Sequence, residues 1–298
     1  MEPMKPIFNY TLDNSKLTLE QREFYEKNGF LVVKELVDAK FLDNCKQRFV
    51  DLCDKNVPWG SLIMMDISLI KKGAVGENLF YKVQDLCMTM FCLNTADIQL
   101  SWIMLNVLLG PTLWLSIQYL SINHLILEAL LPVIPYTDLH YFPFRPANRI
   151  VCSWTAMEDI TPENGCVIVL PGSHTGELLQ HDYPQWVNGV NKMYRGVRGY
   201  DDHPIVELSM KKGDTVFFHP ILIHGSGPNR TQGFRKAIST HYSCAEMKFI
   251  DIRGTSQKNI AKEVVEVTKR RGPELNFQDK FRSRLVRGHQ PVKWFSSL

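Results

Sequence analysis

Hydrophobic positions fall first into helical spacing along this chain and later into short strand-like runs. Thr18-Leu-Glu-Gln21 has the spacing of a capping box, in which a hydroxyl and an amide side chain satisfy backbone N–H groups at the start of a helix, and Gly29 is placed to end that helix. Phe30 to Lys34 then reads as a strand. From Asp38 to Asp54, apolar residues at 41, 42, 45, 49, 50 and 53 recur at the three-and-four spacing of an amphipathic helix lying on a core. Beyond Arg149 the pattern changes to β-branched and aromatic runs: Ile150 to Met157, Cys166 to Leu170, Thr215 to His219 and Ala237 to Tyr242. Pro162-Glu-Asn-Gly165 and Lys212-Gly-Asp214 are turn signals between them. Helices first and many short strands afterwards predict a mainly β fold with flanking helices, a double-stranded β-helix barrel of the jelly-roll or cupin-like kind.

Composition narrows this to one unit. At 298 residues and 45% hydrophobic, the chain is long enough for one substantial core, so residues 1–298 are expected to form a single domain. Within it, 18–100 reads as an N-terminal helical part, 138–245 as the barrel core and 255–298 as a charged, helical C-terminal tail. A net charge of +3 from 34 basic and 31 acidic residues gives no field suited to nucleic acid. Seven cysteines, odd in number and without a C-x-x-C pair, point to reduced thiols in the core. Residues 98 to 127 contain no Asp, Glu, Lys or Arg, which meets the length rule for a membrane span. Asn106, Gly110, Pro111, Gln118, Asn123 and His124 interrupt that stretch, so no span is expected. No apolar signal peptide opens the chain.

The candidate chemistry lies on the β part. Asp138 and His224 supply a carboxylate and an imidazole, and Arg235 follows in the run Phe234-Arg235. Iron(II) that activates oxygen is held by two histidines and one carboxylate, which leaves adjacent positions open. Asp138 and His224 match two of those three donors. A guanidinium fork on a neighbouring strand can pair bidentately with a carboxylate, and the Ser226 hydroxyl can add a hydrogen bond. Taken singly, these residues also have plain structural readings: a buried Asp and His, a strand arginine, and a turn serine between Gly225 and Gly227.

Longer runs carry a resemblance. Asp138-Leu-His-Tyr-Phe-Pro-Phe-Arg-Pro146, Val151-Cys-Ser-Trp-Thr-Ala-Met157, Gly213-Asp-Thr-Val-Phe-Phe-His-Pro220, Leu222-Ile-His-Gly-Ser-Gly227 and Thr231-Gln-Gly-Phe-Arg-Lys-Ala-Ile-Ser239 resemble the phytanoyl-CoA dioxygenase family. The likeness runs from Thr18 to about Gly288 with one gap. It implies an oxidoreductase that uses Fe(II), 2-oxoglutarate and O₂, supported by ascorbate, to hydroxylate an acyl-CoA at its 2-position in fatty-acid α-oxidation. It also implies that Asp138 and His224 bind iron, that Lys82, Trp154, Ser226 and Arg235 contact 2-oxoglutarate, and that the setting is the peroxisome. The terminal Ser296-Ser297-Leu298 matches the peroxisomal Ser-Lys-Leu address only at its first and last residues.

The gap falls at residues 112–137. There the resemblance implies a segment ending Ser-Arg-His-Pro-Leu-His-Gln-Asp, whose second histidine is the first iron ligand, and this chain has Tyr136 in its place. A coding string for Gly-Ser-Ile-Thr-Ser-Arg-His-Pro-Leu-His is GGA AGC ATT ACT TCC CGT CAT CCC TTA CAC. Read one base later, it gives Glu-Ala-Leu-Leu-Pro-Val-Ile-Pro-Tyr, which is residues 128 to 136 as they stand. The expectation is therefore that 112–137 is an out-of-frame reading. Taken at face value, Tyr136 is a poor donor to Fe(II), because a neutral phenol with a pKa of ~10 binds it weakly. His140, two residues beyond Asp138, is a second candidate donor. The rival expectation is a catalytically impaired jelly-roll protein that keeps acyl-CoA or 2-oxoglutarate binding without iron. A zinc or iron cupin hydrolase is a further alternative, which leaves Arg235 without a purpose.

Overall fold

The computed structural model describes residues 7–13, 16–56, 62–65, 76–84, 108, 113–123, 135–183, 196–200, 202–260, 262–263 and 284–287, with backbone alone at 62–65, 78–84, 113–123 and 284–287. Two helices, α1 (Leu19–Asn28) and α2 (Ala39–Cys53), flank β1 (Phe30–Val33). Twelve further strands follow in chain order: β2 (Leu62–Met65), β3 (Phe80–Gln84), β4 (Leu113–Asn123), β5 (Phe144–Arg145), β6 (Ile150–Ala156), β7 (Val167–Val169), β8 (Val206–Leu208), β9 (Thr215–Phe218), β10 (His224–Ser226), β11 (Arg235–Cys244), β12 (Lys248–Phe249) and β13 (Arg284–Arg287). The part from 18 to 100 thus carries three strands besides its helices. The tail from 255 carries β13, and much of it lies outside the described residues.

The helix signals act as local chemistry dictates. Thr18 Oγ1 accepts the Gln21 N–H, and the Gln21 side chain accepts the Thr18 N–H. Gly29 closes α1 at φ 79°, donating its N–H to Tyr25 O, a conformation that a Cβ disfavours. The Asp38 side chain caps α2, and the buried residues Leu42, Cys45, Phe49, Leu52 and Cys53 form the face laid on the core. That face packs with Met157 in a cluster that also takes in Phe234 and Ile238 from the strand region.

Among the described residues, the larger sheet has eight strands in the order β1-β9-β6-β11-β4-β3-β2, with β13 also on β4. A second sheet is ordered β10-β7-β8. Alternation along the central strands divides two cores. Leu31, Val151, Phe217 and Tyr242 point to one side, in a cluster with Leu17 and Tyr25 of the helical part. Phe30, Cys152, Trp154, Val216, Phe218 and Ala237 point to the other, where Val167, Val169 and Leu208 of the second sheet meet them. This second core is the space between the sheets, and the chemistry-bearing residues are set around it.

Strand β4 takes up part of the anomalous segment. It runs antiparallel to β11 from Arg235↔Asn123 to Cys244↔Leu113 and to β3 at Lys82↔Ser121. The pairing uses main-chain groups that any β-compatible sequence supplies, so it is indifferent to the reading frame behind these residues. Residues 124–134 lie outside the described residues. No helix among the described residues is long and apolar enough to cross a membrane.

Candidate functional site

Backbone pairing brings the two distant donors together. Tyr136 and His224 form an antiparallel bridge, with Tyr136 N–H on His224 O at 2.8 Å and His224 N–H on Tyr136 O at 3.0 Å. The Leu139 N–H then bonds Pro220 O at 2.9 Å as the chain turns through a short 3₁₀ segment, Asp138–Tyr141. Asp138 Oδ1 therefore comes to 3.7 Å from His224 Nε2, both side chains being buried. Two donors bound to one ion at about 2 Å each can stand at most roughly 4 Å apart, so this pair can share a divalent metal.

The tautomer of His224 suits that role. Its Nδ1 lies 2.9 Å from Leu222 O, a carbonyl that can only accept, so Nδ1 carries a proton and Nε2, facing Asp138, is the nitrogen left for a metal. Phe218 and Tyr136 hold the ring in place, their centroids at 4.5 and 4.4 Å. The third donor position is the weak one. Tyr136 stands directly opposite His224 and brings a phenol where a histidine was expected.

Arg235 opens β11 and is buried, at 3% exposure. Its Cζ lies 5.1 Å from the Trp154 ring centroid, while Nε and Nη1 have no hydrogen-bond partner among the described residues. Burial pushes the guanidinium down to about 10, against the opposing influence of Tyr136, Cys166 and Glu158. A buried cation with two idle donors is costly unless an anion meets it, and a carboxylate offers the matching fork. Its electrostatic coupling to Tyr136, the residue bridged to His224, ties this cation to the neighbourhood of the acid–imidazole pair.

The other expected residues divide. Trp154 is buried beneath Arg235. Ser226 ends β10 opposite Val167 and is exposed, so its hydroxyl is outside the packed core. Lys82 is placed by backbone register alone, between Met64 of β2 and Ser121 of β4, and its side chain lies outside the described residues. His140, the second candidate donor, stacks on His181 at 4.1 Å.

Two residues that sequence reading passed over join the site. His241 Nε2 lies 2.9 Å from Asp138 Oδ2, and Cys152 stands opposite His241 in the strand register. Burial first, and Asp138 second, raise the Cys152 thiol well above its ordinary range, so it stays protonated. The signal for His241 was present in the alternation of β11. Arg235, Ala237, Ser239 and His241 share one strand face, so an arginine assigned to the site carries the histidine six positions later with it.

Comparison with known proteins gives the family and the fold. A sequence profile of the family described as phytanoyl-CoA dioxygenase (PhyH) matches residues 25–237. The peroxisomal phytanoyl-CoA dioxygenase of Rattus norvegicus is 48% identical over 95% of this chain and 86% of its own length, and that of Homo sapiens is 46% identical with the same coverage. Among solved structures, EctD from S. alaskensis with 2-oxoglutarate and 5-hydroxyectoine superposes with a TM-score of 0.61 at 17% identity, over 83% of each chain. The non-heme alpha ketoglutarate dependent epimerase SnoN superposes with a TM-score of 0.55 at 20% identity, over 78% of this chain and 85% of that one. At such identities the structural likeness speaks for the fold, whereas the sequence relatives are close over nearly the whole length. The chain belongs to the phytanoyl-CoA dioxygenase family.

Proposed function

We propose that residues 1–298 form one double-stranded β-helix domain that hydroxylates a branched-chain acyl-CoA of the phytanoyl-CoA type at its 2-position, with Fe(II), 2-oxoglutarate and O₂, in fatty-acid α-oxidation. The observation that carries this reading is the buried pair Asp138 and His224, 3.7 Å apart with His224 Nδ1 pinned to Leu222 O. The donor set fits a divalent ion at two positions, and the idle guanidinium of Arg235 fits the far carboxylate of a keto diacid. Bound Fe(II) would supply oxygen activation coupled to the decarboxylation of 2-oxoglutarate to succinate, with ascorbate keeping the metal reduced.

The chain's own residues bind and orient. Asp138 and His224 hold the ion, the buried Arg235 over Trp154 docks the dicarboxylate, and Ser226 and Lys82 are assigned to the same co-substrate. The relatives are named peroxisomal phytanoyl-CoA dioxygenases, which supports a peroxisomal setting and an acyl-CoA substrate.

A second reading is favoured by one observation: the residue bridged to His224, where the family pattern has a histidine, is Tyr136. A chain of this sequence would then bind acyl-CoA or 2-oxoglutarate while holding iron weakly. One experiment decides between the two. Iron content and phytanoyl-CoA-dependent succinate release are measured for the chain and for Tyr136→His. The enzymatic reading expects Tyr136→His to retain stoichiometric iron and to form succinate. A variant that holds no iron and forms none would end that reading.

A further inference from the structure

We propose that His241 is a positioning residue for the metal-binding carboxylate: it clamps Asp138 Oδ2 and so presents Oδ1 alone to the ion. The inference rests on the metal role of Asp138 and His224 given above. An ionised carboxylate can only accept hydrogen bonds, so the 2.9 Å contact requires His241 Nε2 to carry the proton and donate. Without such a bond the terminal torsion of an aspartate is broad and nearly two-fold, and either oxygen, or both, can turn toward a metal.

The clamp sits on a central strand of the larger sheet. β11 is paired along its length with β6 on one side and β4 on the other. The His241 ring lies against Phe142 at 4.8 Å, one turn beyond Asp138 itself. Cys152, opposite His241 in the register, has its Sγ 3.4 Å from Ser239 Oγ, so the wall behind the carboxylate is built from two adjacent strands. With Oδ2 held there and Oδ1 facing His224, Asp138 is restricted to monodentate use. A coordination position stays open that a bidentate carboxylate would fill, which is what an ion receiving both a keto diacid and oxygen needs.

The same three residues define a rival. Ligand atoms of Asp138, Cys152 and His241 all lie within 4.8 Å of one another, close enough to hold an ion on the wrong side of the carboxylate, with the thiolate as donor.

The test uses the full chain and its Tyr136→His form, with Co(II) alone as the probe. Co(II) affinity is measured by chelator competition for His241→Phe, which keeps a ring and removes the donor, and for His241→Gln, which returns an N–H. Thermal unfolding checks that each variant is folded. His241→Phe is expected to lose about 10- to 100-fold in affinity, the usual effect of removing a hydrogen-bond partner behind a ligand, and His241→Gln to recover most of it. In the metal-free parent, long-range ¹H–¹⁵N correlations should show the His241 proton on Nε2. Full affinity in His241→Phe, no recovery in His241→Gln, or an unprotonated Nε2 would overturn the assignment. So would a near-ultraviolet thiolate–cobalt band that vanishes in Cys152→Ser, which would establish the rival site. If neither parent form holds cobalt, the functional reading fails, and the Nε2 proton still reports whether His241 holds Asp138.

Discussion

Replacing Arg235 by methionine should stabilise the ligand-free protein while abolishing its response to 2-oxoglutarate. The side chain is 3% exposed, with Nε and Nη1 unpartnered among the described residues, and burial lowers its guanidinium from its ordinary range to about 10. At about 1.4 kcal/mol for each tenfold change in proton affinity, that corresponds to roughly 3 kcal/mol by which the charged form is disfavoured in the fold. Some of this returns as lost contact with Trp154, so Arg235→Met is expected to gain about 1–3 kcal/mol in urea unfolding without ligand. The unfolded guanidinium holds its proton more tightly than the folded one, so the parent's deficit is constant through neutral pH and narrows only above about pH 10. In Tyr136→His loaded with Mn(II), 2-oxoglutarate at a hundred times its Kd should add about 2.7 kcal/mol, and the same protein carrying Arg235→Met should show no increment. A methionine variant that is less stable than the parent, or that keeps the ligand increment, would refute the view of Arg235 as an unpaired clamp awaiting an anion.

Asp214 accepts Lys34 Nζ at 2.8 Å and the Glu35 and Lys211 N–H groups at 2.9 and 2.8 Å, so Asp214→Asn should cost about 2 kcal/mol of unfolding free energy. Burial pushes its carboxyl up, but those three bonds more than offset it and hold it below the usual range. Its contribution is therefore complete above about pH 4 and lost as pH falls further, a slope that the asparagine variant should lack in acid titrations. Gly29→Ala places a Cβ 2.5 Å from the His174 ring at φ 79°, and a melting-temperature drop equivalent to at least about 1 kcal/mol is expected. For residues 112–137, sequencing the transcript across codons 100 to 140 should show, against a coding string for this chain, one additional base near Thr112 and two after Thr137, so that the codon before Gln-Asp138 reads as histidine. An intact single frame encoding Tyr136 would dismiss that origin.

Much of the fold was legible because its signals are local. The Thr18 box and the Gly29 stop bound α1 within a few residues, and α2 begins and ends within one residue of the 38–54 stretch that apolar spacing marked. Strands β6, β7, β9 and β11 were marked by β-branched runs between turns, with shifts of one or two residues at their ends. Strands β2 and β3 within the supposed helical part were not marked, because their stability is lent by pairing, β3 with β4 and β2 with β3, rather than by their own pattern.

Residue types and spacing alone put Asp138, His224 and Arg235 forward, since a carboxylate, an imidazole and a bidentate cation are what the chemistry requires. They left open whether these groups meet. The tertiary structure decided that Tyr136 zips against His224 and carries Asp138 to it, and that Ser226 lies at an exposed strand end. It also decided that His241, 103 residues from Asp138, closes on its second oxygen. Sequence specifies periodicity and capping through neighbours a few residues apart. Which buried polar atom finds which partner depends on how distant strands register, and that is fixed only when the two sheets close on their common core.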